Sequence, residues 1–194
     1  MDEAANGVYA TGVRIMELVY FFPMALAPSF LSRLTSTYTH SNAAFYTTVK
    51  QYFVLSSATA VVLSVVLFLV GPLVIQYFFG LEFSASASVL QGYSLSLLGT
   101  FWGVAASQIL VTIKQSKINL YRTLISVILN VMLNVLWIPR FGIMGATWAS
   151  VVSYMINPVA MLLWKQSRYL GKEMLYSLLP HRWFRMAKSL LMND

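Results

Sequence analysis

The chain has 194 residues, of which 58% are hydrophobic and only 10% are charged, so an ordinary water-soluble domain is excluded as a first interpretation. Cysteine is absent, which excludes disulfides and thiolate metal sites, and the small number of carboxylates argues against a buried metal site. No cofactor is expected. The formal net charge of +7 could suggest nucleic acid as a partner, but the positions of the basic residues favour a membrane topology instead, so no nucleic acid is expected.

Five apolar segments are long enough to cross a bilayer, which needs about 20 residues of helix. In chain order they cover residues 8–31, 51–71, 88–112, 118–138 and 142–164. Residues 32–50 and 72–87 form the two longer connections, and the second helix could continue past Pro72. The very short connection 139–141 predicts that the last two segments form an antiparallel hairpin. Residues 1–170 are therefore predicted to be an all-α integral membrane helical bundle of five transmembrane helices.

Basic residues alternate between the connections of these segments. Arg33 and Lys50 lie in the first connection, and Lys114 and Lys117 lie in the third. The second connection contains Glu82 and no Lys or Arg. Because cytoplasmic loops carry an excess of Lys and Arg, the N-terminus is predicted to lie outside and the C-terminus in the cytoplasm.

The tail, residues 171–194, has a different pattern. Its apolar residues recur every four positions, at Leu175, Leu179, Trp183, Ala187 and Leu191. Arg182, Arg185 and Lys188 lie on other faces, and Pro180 is expected to interrupt the helix. This pattern predicts a basic amphipathic segment at the interface of the anionic inner leaflet, with a solvated tail as the alternative.

The first segment contains two charges and two helix-breaking residues. Arg14 and Glu17 lie three residues apart, so they share a helix face and can pair. A charge in the bilayer is costly unless it is paired or faces water, so the two residues either reach the outer interface or line a central cavity. Pro23 and Pro28 each remove a backbone hydrogen bond and predict a bent or broken helix, as does Pro158 in the fifth segment.

The fourth segment contains a polar stripe with steps of four residues, formed by Arg122, Ser126, Asn130 and Asn134. Polar amides in hydrocarbon must find partners, so the stripe is expected to face protein or water. The alternatives are interhelical hydrogen bonding for the two asparagines and simple anchoring of the cytoplasmic helix end for Arg122.

Small residues and tryptophans give further expectations about packing. Gly99, Gly103 and Ser107 are spaced by four residues, which predicts close approach of neighbouring helices. The fifth segment has a similar series at Gly142, Ala146 and Ser150. Interfacial anchors are expected among Trp102, Trp137 and Trp164, particularly the latter two, which lie at segment ends.

Two stretches resemble a known family. They are GVYATGVRIME at residues 7–17, followed by Phe22 and Pro23, and residues 123–154, which contain Asn-x-x-x-Asn, then Pro-Arg-Phe-Gly and Gly-Ala. Together they resemble the polysaccharide (O-antigen) flippases of the multidrug/oligosaccharidyl-lipid/polysaccharide exporter superfamily, over about residues 5–165. Gly12 stands where alanine is expected. The resemblance implies two helical bundles around a central cavity, with this chain as part of the C-terminal lobe and a missing N-terminal lobe as its partner.

The resemblance also implies a function and site residues. Such proteins are not enzymes; they move undecaprenyl-pyrophosphate-linked oligosaccharides from the inner to the outer leaflet by alternating access, for surface polysaccharide and lipopolysaccharide biosynthesis at the cell inner membrane. Their cavities are often cationic, so Arg14 is a candidate contact for the pyrophosphate and Glu17 a candidate orienting partner. Lys50 and Arg122 are candidate contacts on the cytoplasmic side. Asn130 and Asn134 match the motif and are interpreted as structural.

Three other functions are weighed against this one. A multidrug or cation antiporter would need an acidic cavity residue, and Glu17, the only carboxylate within a predicted span, has Arg14 beside it. The chain could also be a non-transporting remnant or a membrane subunit that needs a partner half. A membrane polymerase would need a large, charged outer loop, and residues 72–87 are too short and nearly uncharged.

Overall fold

The computed structural model describes the backbone of residues 3–191 and the side chains of residues 7–80, 82–184 and 186. All regular structure in that range is helical, which confirms the predicted all-α membrane bundle. In chain order the helices are α1 (Glu3–Val19), α2 (Phe21–His40), α3 (Asn42–Phe79), α4 (Ser84–Ser94), α5 (Leu97–Thr112), α6 (Ser116–Val159), α7 (Arg168–Tyr176) and α8 (Pro180–Leu191). Short 3₁₀ turns lie at Leu81–Phe83 and Ala160–Leu163.

Three helical stretches in the described range are long and apolar enough to cross a membrane, namely Gly7–His40, Asn42–Phe79 and Ser116–Leu163. The pair α4 and α5, bent by 44° at their junction, can form a fourth. The last stretch folds back at Gly142, where φ is 55° and ψ is −132°, so α6 consists of two arms, 116–141 and 143–159. The bundle therefore contains five helical rods.

The two arms of α6 pack against each other in antiparallel fashion. The Ser126 hydroxyl donates to the Ser153 carbonyl at 2.7 Å, close to the middle of the arms. Near the turn, a Cβ on Gly145 would lie 2.4 Å from the Trp137 carbonyl oxygen. Glycine at position 145 allows this close approach, and glycine at position 142 adopts the positive φ of the turn. These contacts confirm the hairpin predicted from the short 139–141 connection.

The helices of the first two rods extend well beyond the predicted apolar segments. Residues 32–50, predicted as a connection, are helical except at Ser41, whose hydroxyl accepts from the Ala44 amide at 3.4 Å as an N-cap. This region was predicted as a connection because it lies between two apolar segments. Within α2, however, the Thr35 and Thr37 hydroxyls donate to carbonyls four residues earlier, which satisfies them inside a helix. Helix α3 likewise passes Pro72 and ends at Phe79.

Two rods are interrupted at the same level along the bundle, and each interruption is called a joint below. Helices α1 and α2 are separated at Tyr20, and α4 and α5 are separated at Leu95 and Ser96. Helix α1 packs on α4, with the Ser86 hydroxyl donating to the Val8 carbonyl at 2.7 Å, whereas α2 packs on α3 and α5. The register of the α1–α4 contact, in which Gly12 lies against Val89, places Tyr20 level with the α4–α5 junction.

Two apolar clusters form the core. One surrounds Leu90 and Phe101 between α1, α3, α4 and α5, and the other surrounds Phe53 and Trp102 near the ends of α2, α5 and α7. Trp102 is 1% exposed, so its interpretation as an interfacial anchor is wrong. Its indole nitrogen donates to the Ser57 hydroxyl at 2.8 Å, which satisfies the polar group and allows full burial.

Tyr52 offers a test of this second cluster. Its ring stacks on Phe30 with 4.2 Å between centroids, and its buried hydroxyl has no hydrogen-bond partner among the described residues. We expect Tyr52→Phe to leave the thermal midpoint unchanged or to raise it, because an unsatisfied buried hydroxyl costs about 1–3 kcal/mol. The midpoint is measured as loss of monodisperse protein on heating in detergent. A clear fall would show that the hydroxyl has a partner.

The C-terminal helices dock on the bundle instead of extending freely. Leu170 and Met174 of α7 are fully buried, and the Ser177 hydroxyl lies 2.6 Å from the Ser57 hydroxyl of α3. Helix α8 begins at Pro180, where the sequence predicted an interruption. The side chains of Arg185 and Lys188 and residues 192–194 lie outside the described part of the chain, so the predicted basic face is only partly described.

Candidate functional site

Arg14 and Glu17 lie on a face of α1 that no other described helix covers. The opposite face packs on α4, where the Tyr9 and Tyr93 hydroxyls are 2.6 Å apart. Both charged side chains are exposed, and no salt bridge joins them within the described residues. The expected pair is therefore not formed, because a spacing of three residues allows two side chains to meet but holds them together only weakly. The face presents a separate cation and anion.

The candidate helix-kink prolines lie in different surroundings. Pro23 is buried three residues after the joint at Tyr20, and Pro28 lies exposed within α2, which continues through it. Pro158 is buried near the end of α6, where the helix changes to a 3₁₀ turn at Ala160. Only Pro23 and Pro158 therefore accompany a change in the helix.

Lys50 lies near the start of α3, at the other end of the bundle from the N-terminus of α1. Its amine is 3.9 Å from the Glu173 carboxylate of α7, which also accepts a hydrogen bond from Arg182 of α8 at 2.8 Å. Arg182 in turn lies 5.3 Å from the ring centre of Tyr176. These ion pairs connect α7 and α8 to α3. Each of these partly exposed pairs contributes about 1 kcal/mol or less.

Arg122 lies inside the bundle, between α5 and the two arms of α6, and is only 1% exposed. Its Nε and Nη2 atoms donate to the Asn119 side-chain oxygen at 2.9 and 2.7 Å. Nη1 donates to the Asn157 side-chain oxygen at 2.7 Å. Nη2 also reaches the Gly103 carbonyl at 2.9 Å and the Ser107 hydroxyl at 2.5 Å. The guanidinium thus joins three helical rods through neutral acceptors.

The other residues of the polar stripe form one hydrogen bond between helices and one within their own helix. Ser126 is bonded to the second arm of α6, as described above, and the Asn134 amide donates to the Asn130 oxygen at 3.0 Å. A recess of about 210 Å³ lies beside Asn130. Its lining is formed by Ser126, Val127, Asn130, Ser150, Ser153 and Tyr154. The stripe therefore faces protein and a small polar recess, and Arg14 lies on a different helix with no contact to it.

The structure separates the four predicted binding residues. Arg14 and Glu17 lie on an uncovered face of α1, Lys50 joins the C-terminal network, and Arg122 is enclosed. Sequence reasoning missed Asn119 and Asn157, which hold Arg122. The signal for Asn119 was its position three residues before the arginine, on the same helix face. The signal for Asn157 was a lone amide in an apolar segment, which needs a partner.

A family model described as the lipid II flippase MurJ matches residues 1–187. The chain belongs to the MurJ lipid II flippase family. Neither the curated proteins nor the solved structures gave a match. Membership confirms that the chain is a membrane protein of a lipid-flippase family and not an enzyme. It supports a flippase for a lipid-linked substrate, which is coarser than the O-antigen flippase indicated by the sequence resemblance.

Proposed function

We propose that this chain is part of a transporter that moves a lipid-linked precursor from the inner to the outer leaflet of the cell membrane, with lipid II as its cargo. The match to the lipid II flippase MurJ family over residues 1–187 is the observation that carries the proposal. Surface-polysaccharide carriers are the second candidate cargo, favoured by the motifs in residues 7–23 and 123–154. Both cargoes would present a diphosphate to the protein.

The proposed orientation places the C-terminus in the cytoplasm. The α2–α3 and α5–α6 connections and the C-terminal helices share one end of the bundle, since α2 pairs antiparallel with α3 and α5 with α6. That end holds Arg33, Lys114 and Lys117, whereas the α6 turn at the opposite end holds only Arg140. The excess of basic residues at one end supports a cytoplasmic position for it.

Arg14 is proposed to contact the diphosphate of the cargo. It is an exposed cation on the uncovered face of a span, and Leu18 and Phe21 lie exposed on the same side of the helix. A charge at this position needs water or an opposite charge. A second helical bundle facing α1 would enclose a watery cavity that meets this need. Alternating access would then follow from movement of the two bundles, with membrane lipids around them.

Arg14→Ala in the native gene, so that any partner bundle is present, is expected to lower the rate of lipid II appearance at the outer surface at least about tenfold. The reason is the loss of a hydrogen bond between charged groups, worth about 1.5–3 kcal/mol. The rate is measured by the accessibility of labelled lipid II to a reagent added outside the cell. Arg14→Lys should retain most of the rate, because it keeps the charge.

Arg33→Ala is the matched control, since Arg33 is an exposed arginine on α2 at the basic end of the bundle. It should transport at the wild-type rate. A wild-type rate in Arg14→Ala would remove Arg14 from the cargo site. The whole protein is also deleted. If lipid II accessibility then stays unchanged and surface polysaccharide is lost, the cargo is a surface-polysaccharide carrier and not lipid II.

A further inference from the structure

Arg122 is a buried cation without a described counterion. All its hydrogen-bond acceptors are neutral: two asparagine oxygens, a serine hydroxyl and a backbone carbonyl. The chain contains six carboxylate side chains. Of the three with described side chains, Glu17 and Glu82 are exposed and Glu173 pairs with Lys50 and Arg182. A buried charge normally has a partner of opposite sign, so the environment of Arg122 lacks an anion.

A recess lies directly beside this cation. Its volume is about 220 Å³, several times the roughly 30 Å³ that a water molecule takes up in the liquid. Its lining contains no carboxylate and includes Thr100, Gly103, Ser107, Thr123, Tyr154 and Asn157 beside Arg122. Tyr154 and Thr123 are exposed, so the recess reaches the surface of the bundle.

The recess also has hydrogen-bond donors that are not used within the described residues. A guanidinium has five N–H groups, and Nη1 carries two of them. Only one hydrogen bond from Nη1 is formed, to Asn157, whose own amide nitrogen donates to no described residue. Tyr154, whose ring lies 6.1 Å from that of Tyr20 between centroids, also lines the recess. By contrast, the Thr123 and Thr100 hydroxyls donate to helix carbonyls.

We infer that the recess beside Arg122 binds an anion of the phosphate class through Arg122, Asn157 and Tyr154. A cation, an amide and a phenol that line a carboxylate-free recess suit an anion whose oxygens accept several hydrogen bonds. The anion could be the headgroup of a phospholipid or the diphosphate of the cargo. The second source rests on the proposed function, whereas binding of the anion does not.

The experiment uses the purified full chain in nanodiscs of zwitterionic phosphatidylcholine, with inorganic pyrophosphate as the probe. Binding is followed by titration calorimetry and by the rise in thermal midpoint. Wild type should bind saturably, and Arg122→Gln should weaken binding at least tenfold. Tyr154→Phe removes one hydroxyl from a partly exposed ring and should weaken binding severalfold. It provides a variant for the case in which Arg122→Gln does not fold.

Arg140→Gln is the matched control, because Arg140 is an exposed arginine of the same helix and its loss changes the net charge equally. It should bind pyrophosphate as wild type does. The inference is overturned if wild type shows no saturable binding of pyrophosphate and no specific effect of phosphatidylglycerol. It is also overturned if neither Arg122→Gln nor Tyr154→Phe changes the affinity.

A further measurement identifies the source of the anion. Adding phosphatidylglycerol to the nanodiscs should displace pyrophosphate from wild type if a lipid headgroup occupies the recess, and should have no effect if the recess selects a diphosphate. Saturable pyrophosphate binding that Arg122→Gln weakens, in a protein whose loss leaves lipid II accessibility unchanged, would leave the Arg122 site standing while the proposed function fails.

Discussion

Trp102→Ala is expected to lower the free energy of unfolding by about 3–5 kcal/mol, the usual range for removing a fully buried large aromatic side chain. Trp102 is 1% exposed and lies where α5 meets α3, and its hydrogen bond to Ser57 is part of a chain that continues to Ser177 beside α7. The truncation leaves a cavity and also a buried hydroxyl pair without its indole donor. At about 2–4 °C per kcal/mol for a chain of this size, the thermal midpoint should fall by roughly 10 °C.

Trp148→Ala is the matched control, because Trp148 is 41% exposed on the second arm of α6. It should lower the midpoint far less than Trp102→Ala. Trp102→Phe separates the two causes, since it keeps most of the ring volume and removes only the indole N–H. Equal losses for Trp102→Ala and Trp148→Ala would show that Trp102 does not lie in a packed core.

Gly145→Ala is expected to open the hairpin of α6 and to reduce the yield of folded protein. The added Cβ would lie 2.4 Å from the carbonyl oxygen and 2.6 Å from the carbonyl carbon of Trp137. Backbone atoms cannot rotate away as a side chain can, so the arms must separate. Overpacking of this kind costs about 1–3 kcal/mol and sometimes more. The measurements are the monodisperse fraction after extraction in detergent and the thermal midpoint.

Gly7→Ala tests whether the effect comes from crowding. A Cβ on Gly7 meets nothing within 4 Å, and alanine is the better helix former by about 1 kcal/mol. Its midpoint should stay at the wild-type value or rise. Wild-type yield and stability of Gly145→Ala would mean that the two arms do not approach as closely as the structure shows.

Much of the fold follows from the sequence because a long apolar segment in a bilayer satisfies its backbone hydrogen bonds by forming a helix. The hairpin follows from the short turn at residues 139–141, and the close approach of α5 to the second arm of α6 follows from Gly99. The helix ends could not be placed in this way. Hydropathy marks where a helix leaves hydrocarbon, whereas residues 32–40 and 42–50 stay helical beyond that point, with the Thr35 and Thr37 hydroxyls satisfied by carbonyls of their own helix.

The candidate site was less predictable. The spacing of Arg122, Ser126, Asn130 and Asn134 revealed a polar stripe, because it depends only on the helical period. The partners of Arg122 depend on the register between rods, which sets Gly103 and Asn157 beside it and which no local pattern encodes. The spacing of Arg14 and Glu17 permitted contact, but the structure leaves both side chains extended from an uncovered face.

The joints at Tyr20 and at Leu95–Ser96 have a mechanical consequence. On the N-terminal side of the two joints α1 packs on α4, and on their C-terminal side α2 packs on α5. Rotation about one joint alone would shear one of these contacts, whereas rotation about both preserves them. The two half-rods α1 and α4 would therefore have to move together, and such a movement would slide α4 along the unbroken helix α3 that packs on it.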